Sequence, residues 1–144
     1  MPYEKGFSLF ETLIALSIVS ILAVIAVPMY LNYDVRAKIT EGFSLAGPVK
    51  NMVADYYETT GTWPSSNLEA GVETPSSYTT DNIESIKVAK YNASAAIIIT
   101  YRIPALDGNN TIILVPTQAT GQSIQWSCTQ GTVIDKYRPT ACKA

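Results

Sequence analysis

From Thr12 to Leu31 the chain runs "TLIALSIVSILAVIAVPMYL", twenty residues without a charge. As a helix rising ~1.5 Å per residue this run spans roughly 30 Å, the thickness of a bilayer's hydrocarbon. Asp34, Arg36, Lys38 and Glu41 follow, so a water-soluble stretch begins there. The helical period continues past it. Val35, Ile39, Gly42, Ala46, Val49, Val53 and Tyr56 recur at intervals of three and four, and Asp34, Lys38, Glu41, Asn51, Asp55 and Glu58 fall between them. That spacing continues one apolar stripe from the span into an amphipathic helix. Gly61, with Pro64 shortly after it, predicts the C-terminus. Pro28 and Pro48 lie inside the helix. Each lacks the N–H of a helical bond and is expected to kink or loosen its turn.

Beyond Gly61 the pattern changes. "TWPSSNLEAGVETPSSYTTDN" is rich in Ser, Thr, Gly and Pro and reads as a loop folded over something. Four runs heavy in β-branched and aromatic residues follow: "SIKVAKY", "AAIIITYRI", "TIILVPT" and "SIQWSC". Between them lie "NAS", "PALDGNN" and "QATGQ", which suit hairpin connections and predict an antiparallel meander. The amphipathic half of the helix has a stripe to bury, and such a sheet has one apolar face to offer. The expected fold class is α+β, a long N-terminal α-helix that spans a membrane in its first half and packs its second half on a four-stranded antiparallel β-sheet.

Composition narrows the chemistry. At 144 residues the chain holds one domain with a modest core. Histidine is absent, which removes the commonest general base and metal ligand at neutral pH. The two cysteines, Cys128 and Cys142, supply neither a Cys–His pair nor a tetrahedral zinc site. With no P-loop and no dinucleotide fingerprint, nothing in the sequence supports an enzyme, and no cofactor or metal is implied. The net charge of −2 argues against a dedicated polyanion binder, although the chain beyond Asp81 carries six bases and three acids. The cysteines bracket "CTQGTVIDKYRPTAC". Oxidised, they restrain that loop by ~3 kcal/mol on a chain-entropy estimate and suit a domain exported past a membrane. Two reduced buried thiols are the alternative.

One acid stands at the head of the apolar run, Glu11 in "KGFSLFETLIAL". A lone carboxylate in a span costs ~2.5–3.5 kcal/mol at the bilayer centre and less near the edge, so it calls for a named partner. A plain single-span anchor leaves it unexplained. A cleavable secretory signal finds a small-residue site in "VIA", but Glu11, the weakly charged start "MPYEKG" and Pro28 speak against it.

The stretch "KGFSLFETLIALSIVSILAVIAVPMYLNY" resembles the processing site and N-terminal helix of type IV pilins of the short-leader, type IVa kind. The resemblance continues through Pro48, "TGTWPSSN" and the C-terminal cysteine pair. It implies three segments: a leader at 1–6, an apolar transmembrane and assembly helix at 7–33, and a globular head at 34–144. It further implies that a prepilin peptidase cuts between Gly6 and Phe7 and methylates the new Phe7 amine. Glu11 would then serve assembly, Pro28 would mark where the assembled helix loosens, and Cys128 and Cys142 would bracket a disulfide loop. Ser20 departs from the glycine common in relatives, which weakens any expectation that the helix unwinds between Ser20 and Pro28.

Implied partners are other copies of the chain, the prepilin peptidase and methyltransferase, the inner-membrane assembly machinery with its ATPases, and the membrane itself. The precursor would sit in the inner membrane with its head periplasmic, before joining an extracellular pilus. Its uses would be adhesion, twitching motility or DNA uptake. Two alternatives stand beside this. A type II secretion pseudopilin shares the helix, but as a class usually replaces the cysteine pair with a calcium loop, for which no dense acidic cluster is seen. A minor pilin acting as a DNA receptor would use Lys136, Tyr137 and Arg138 in the cysteine loop, with Lys87, Lys90, Arg102 and Lys143, and Tyr91 for stacking. Trp63 and Trp126 read as packing residues.

Overall fold

The computed structural model describes residues 6–118 and 121–143, so residues 1–5 of the expected leader lie outside it. Helix α1 runs unbroken from Leu9 to Thr60. The chain divides into two compact units between Asp34 and Val35.

In the first unit every described side chain from Gly6 to Leu31 is exposed. This part of α1 is long and apolar enough to cross a membrane, and no residue of its most apolar stretch is buried within the chain. Its hydroxyls do not compete for lipid. Thr12 Oγ1 donates to Leu9 O at 2.8 Å, Ser17 Oγ to Ile14 O at 2.7 Å and Ser20 Oγ to Leu16 O at 2.7 Å. Each of these three hydroxyls is thus satisfied by its own helix, as hydrocarbon requires.

The second unit, from Val35 onward, holds the core. Val35, Ile39, Gly42, Ala46, Val49 and Val53 are the buried residues of α1, which are the stripe positions read from the sequence. Tyr56, the last of that stripe, is only half-buried, and its hydroxyl reaches out to Glu69. The helix ends where expected. Gly61 adopts φ +73° and donates its N–H to Tyr57 O at 2.8 Å, a left-handed cap that favours glycine.

The stripe packs on a meander of β1 (Ile83–Tyr91), β2 (Ser94–Tyr101), β3 (Thr111–Thr117) and β4 (Gln125–Gly131), in that spatial order and antiparallel throughout. Ile86, Val88, Ile97, Ile99, Ile112 and Leu114 lie on the packed face and are almost wholly buried. Burying such a side chain contributes roughly 1.5–3 kcal/mol, so this face carries most of the attachment. Tyr101 packs tightly against α1 at Gly42 and donates its hydroxyl to Ile39 O at 2.8 Å.

Three strands depart from the pattern at their ends, β2 running from Ser94 to Tyr101 and stopping short of Arg102 and Ile103. Strand β1 starts two residues early, at Ile83, because Ile83 pairs with Tyr101 across a bulge. Strand β4 starts later than "SIQWSC" and runs on through Thr129, Gln130 and Gly131, which carry no alternation signal. Tertiary pairing supplies what propensity lacks. Gln130 faces Ile113, Gly131 faces Ile112, and Thr132 exchanges hydrogen bonds with Thr111.

Each sheet edge is closed by one side chain. At β1, buried Asn67 accepts from Val88 N at 2.7 Å and donates to Ile86 O at 3.1 Å, as a neighbouring strand would. At β4, Arg138 takes the carbonyls of Cys128 and Gln130 at 2.8 and 3.1 Å. An open edge is a template for unwanted pairing, and both are blunted here.

Candidate functional site

Gly6, Phe7 and Ser8 precede the helix in irregular, exposed backbone, so the Gly6–Phe7 bond lies open to an enzyme. Ser8 starts α1 as its N-cap. Its Oγ accepts from Glu11 N at 3.3 Å, while Glu11 Oε2 accepts from Ser8 N at 2.9 Å. This reciprocal pair is a capping box, which satisfies two donors that a helix start leaves orphaned. The carboxylate also sits in the first turn, where the helix dipole favours negative charge.

Glu11 is therefore not bare in the single chain. One oxygen serves the cap, and no hydrogen bond to Oε1 is found among the described residues. Ser8 went unread in the sequence although its signal was there, a serine three positions ahead of the glutamate that opens an apolar run. Around the cap, Phe7, Leu9, Phe10, Leu13 and Ile14 are exposed, Phe10 by 73%. An apolar surface this long and continuous calls for a lipid or protein covering.

Pro28 and Pro48 do not end α1. Each deprives the carbonyl four residues earlier, Val24 or Ser44, of its helical N–H, so these two turns are held by fewer bonds than their neighbours.

At the other end of the chain Cys128 and Cys142 form a disulfide, with Cα atoms 4.8 Å apart. Inside its loop Arg138 is 3% exposed. Nε donates to Val133 O at 2.6 Å, Nη1 to Cys128 O and Gln130 O, and Nη2 to Gly131 O at 3.1 Å. Asp135 Oδ1 stands 3.7 Å from Nε.

The expectation that Arg138 contacts DNA is corrected by this geometry, since a guanidinium spent on four backbone carbonyls has no face for a phosphate. Tyr137 is half-buried against the core, with Lys136 Nζ 5.2 Å from its ring centroid. Of the three residues, only Lys136 presents a charge to solvent. Arg36 also braces the loop, donating from Nε to Lys136 O at 2.8 Å.

Among the described residues no group of three or more acidic, cysteine or histidine side chains is placed to hold a metal.

A profile for pilin, a bacterial filament protein, matches residues 35–143, and one for the prokaryotic N-terminal methylation motif matches residues 1–27. The chain is 32% identical to a fimbrial protein, EcpC, of Eikenella corrodens over 97% of this chain and 91% of the relative. It is 33% identical to the type IV major pilin protein PilE of Neisseria gonorrhoeae over 88% of this chain and 75% of the relative. It is 31% identical to the type IV major fimbrial protein FimA of Dichelobacter nodosus over 97% of this chain and 96% of the relative.

Proposed function

The chain belongs to the type IV pilin family, and on that premise we propose how its N-terminus turns it from a membrane-anchored precursor into a subunit of an extracellular pilus. Water cleaves the Gly6–Phe7 amide in a prepilin peptidase, leaving a carboxylate on Gly6 and an amine on Phe7. The amine then attacks the methyl group of a sulfonium donor supplied by the enzyme, breaking its S–CH3 bond and releasing a thioether; the resulting secondary amine still carries a positive charge when protonated. Residues 1–6 depart, and "FSLFE" begins the working subunit.

Glu11 of an incoming subunit then pairs with the Phe7 ammonium of a neighbour. In low dielectric the two attract strongly, whereas either one alone bears a desolvation cost. Oε1 is the atom for this contact, because Oε2 can keep its bond to Ser8 N. The apolar segment 7–33, exposed throughout as far as Leu31, supplies the bulk of the attachment, and the charge pair sets axial register. One face of the helix binds a different face of the next copy. Such a heterologous contact does not close on itself and grows a helical polymer.

A single acid capping an otherwise uncharged, exposed first half of α1, next to an open Gly6–Phe7 bond, carries this reading. The matched relatives are fimbrial proteins and major pilins, which favours neither the pseudopilin nor the DNA-receptor alternative. Adhesion, twitching motility and DNA uptake are the uses such a filament serves, driven by ATPases on other chains.

Glu11→Gln tests the pairing. The variant should insert and be cleaved after Gly6, yet give no surface filaments; wild-type filament yield would refute it.

A further inference from the structure

Two adjoining cavities of about 350 and 360 Å³ open beside the C-terminus of α1 and share Tyr57, Trp63, Ala93 and Ser94. Both fall in the ~300–1,000 Å³ range of small-molecule sites. One wall is a stacked pair, Tyr57 on Trp63, with ring centroids 3.9 Å apart and planes 15° from parallel. The left-handed cap at Gly61 turns the chain back after the helix and brings Trp63 to Tyr57. The opposite wall is the β1–β2 hairpin, whose two-residue turn carries Asn92 at φ +52°.

The polar lining is uneven in a telling way. Ser94 Oγ is buried and has no hydrogen-bond partner, the one such side-chain atom among the described residues. Asn92 and Gln118 add exposed amides to the first cavity, and Lys90 adds an exposed ammonium to the second. No acidic side chain lines either one.

We infer that this groove binds a carboxylate-bearing pyranose, such as a uronic acid unit of a glycan. Aromatic rings offer a negative face to the weakly positive C–H face of a sugar ring, and two stacked rings make that platform rigid. Sugar hydroxyls both donate and accept, which suits the exposed amides of Asn92 and Gln118. Lys90, in a lining that holds no acidic side chain, selects the carboxylate. A nucleobase would stack as well, but its phosphates ask for more than one cation. The site lies apart from the N-terminal assembly residues in sequence and does not depend on the proposed role of Glu11.

Saturation-transfer NMR on the full-length chain in detergent micelles and on sheared filaments tests this, with methyl β-glucuronide and methyl β-glucoside as probes. The glucuronide should receive saturation on its ring protons in both preparations. Lys90→Gln, at an exposed position, should weaken the glucuronide about tenfold, the loss of one charged hydrogen bond, and leave the glucoside unchanged. Gln118→Ala, at another exposed lining position, should weaken both probes, with unchanged thermal unfolding as the control for folding. No transfer at low millimolar probe, or equal transfer by wild type and both variants, would overturn the inference. Binding in micelles that vanishes in filaments would also overturn it, by making the groove a contact between copies.

Discussion

Tyr101 and Gly42 depend on each other. Tyr101 crosses from the sheet to Ile39 O, and a Cβ at position 42 would fall 2.5 Å from its hydroxyl oxygen and 2.8 Å from its ring. Glycine to alanine inside a helix normally gains ~1 kcal/mol. Here the ring must move, breaking a buried hydrogen bond worth ~0.5–1.5 kcal/mol and straining a packed core by ~1–3 kcal/mol. Sterics win, so Gly42→Ala should destabilise the head by about 1–3 kcal/mol in denaturant unfolding. A more stable variant would show that the core yields freely at that point. Burial, and then the nearby Glu41 charge, hold the Tyr101 phenol far above its ordinary pKa, so it stays a donor at any physiological pH.

Glu69 works on the surface. The backbone N–H of Ser65, then the Ser65 hydroxyl and the Tyr56 hydroxyl, all donate to its carboxylate and hold its pKa below the ordinary 4.5. A carboxyl depressed in the folded state stabilises fully above its unfolded pKa and loses that contribution as pH falls through the folded value. Melting temperature followed from pH 7 to pH 3 should therefore drop less steeply in Glu69→Gln than in wild type, after a small loss at pH 7. Identical slopes would show that the Glu69 cluster does not hold the loop to α1.

Among the elements, α1 and the inner strands were the most legible in sequence, because a period of three to four and runs of β-branched residues are local signals. Val35 to Val53 are buried as their spacing required. The second half of β4 was not legible, since Thr129, Gln130 and Gly131 join the sheet only through partners on β3. Arg138 was misread for a related reason. Its burial depends on four carbonyls converging from Cys128 to Val133, and no spacing announces that. The Ser8–Glu11 cap was written locally, but the acid drew attention to the membrane instead of to its own helix.

The role of Arg138 as organiser of the disulfide loop is testable at this scale. Removing it orphans several buried acceptors at once, so Arg138→Ala should cost about 2–5 kcal/mol, while Lys136→Ala stays within ~0.5 kcal/mol. With its clamp gone, β4 also regains a free edge. The variant should aggregate through strand pairing, visible as thioflavin fluorescence, where wild type does not.

The whole chain combines one surface built for self-association with two edges that prevent it. The apolar half of α1 is uncovered along its length, while Asn67 and Arg138 close both sides of the sheet. On the proposed pairing, polymerisation is directed to the helix, where the N-terminal charge pair would control it. The intact mass and N-terminal sequence of the protein recovered from sheared surface filaments test this account most directly. A chain beginning at methylated Phe7, with Cys128 and Cys142 oxidised, is the predicted result. An uncleaved chain, or one beginning at Val27 after the "VIA" site, would contradict it.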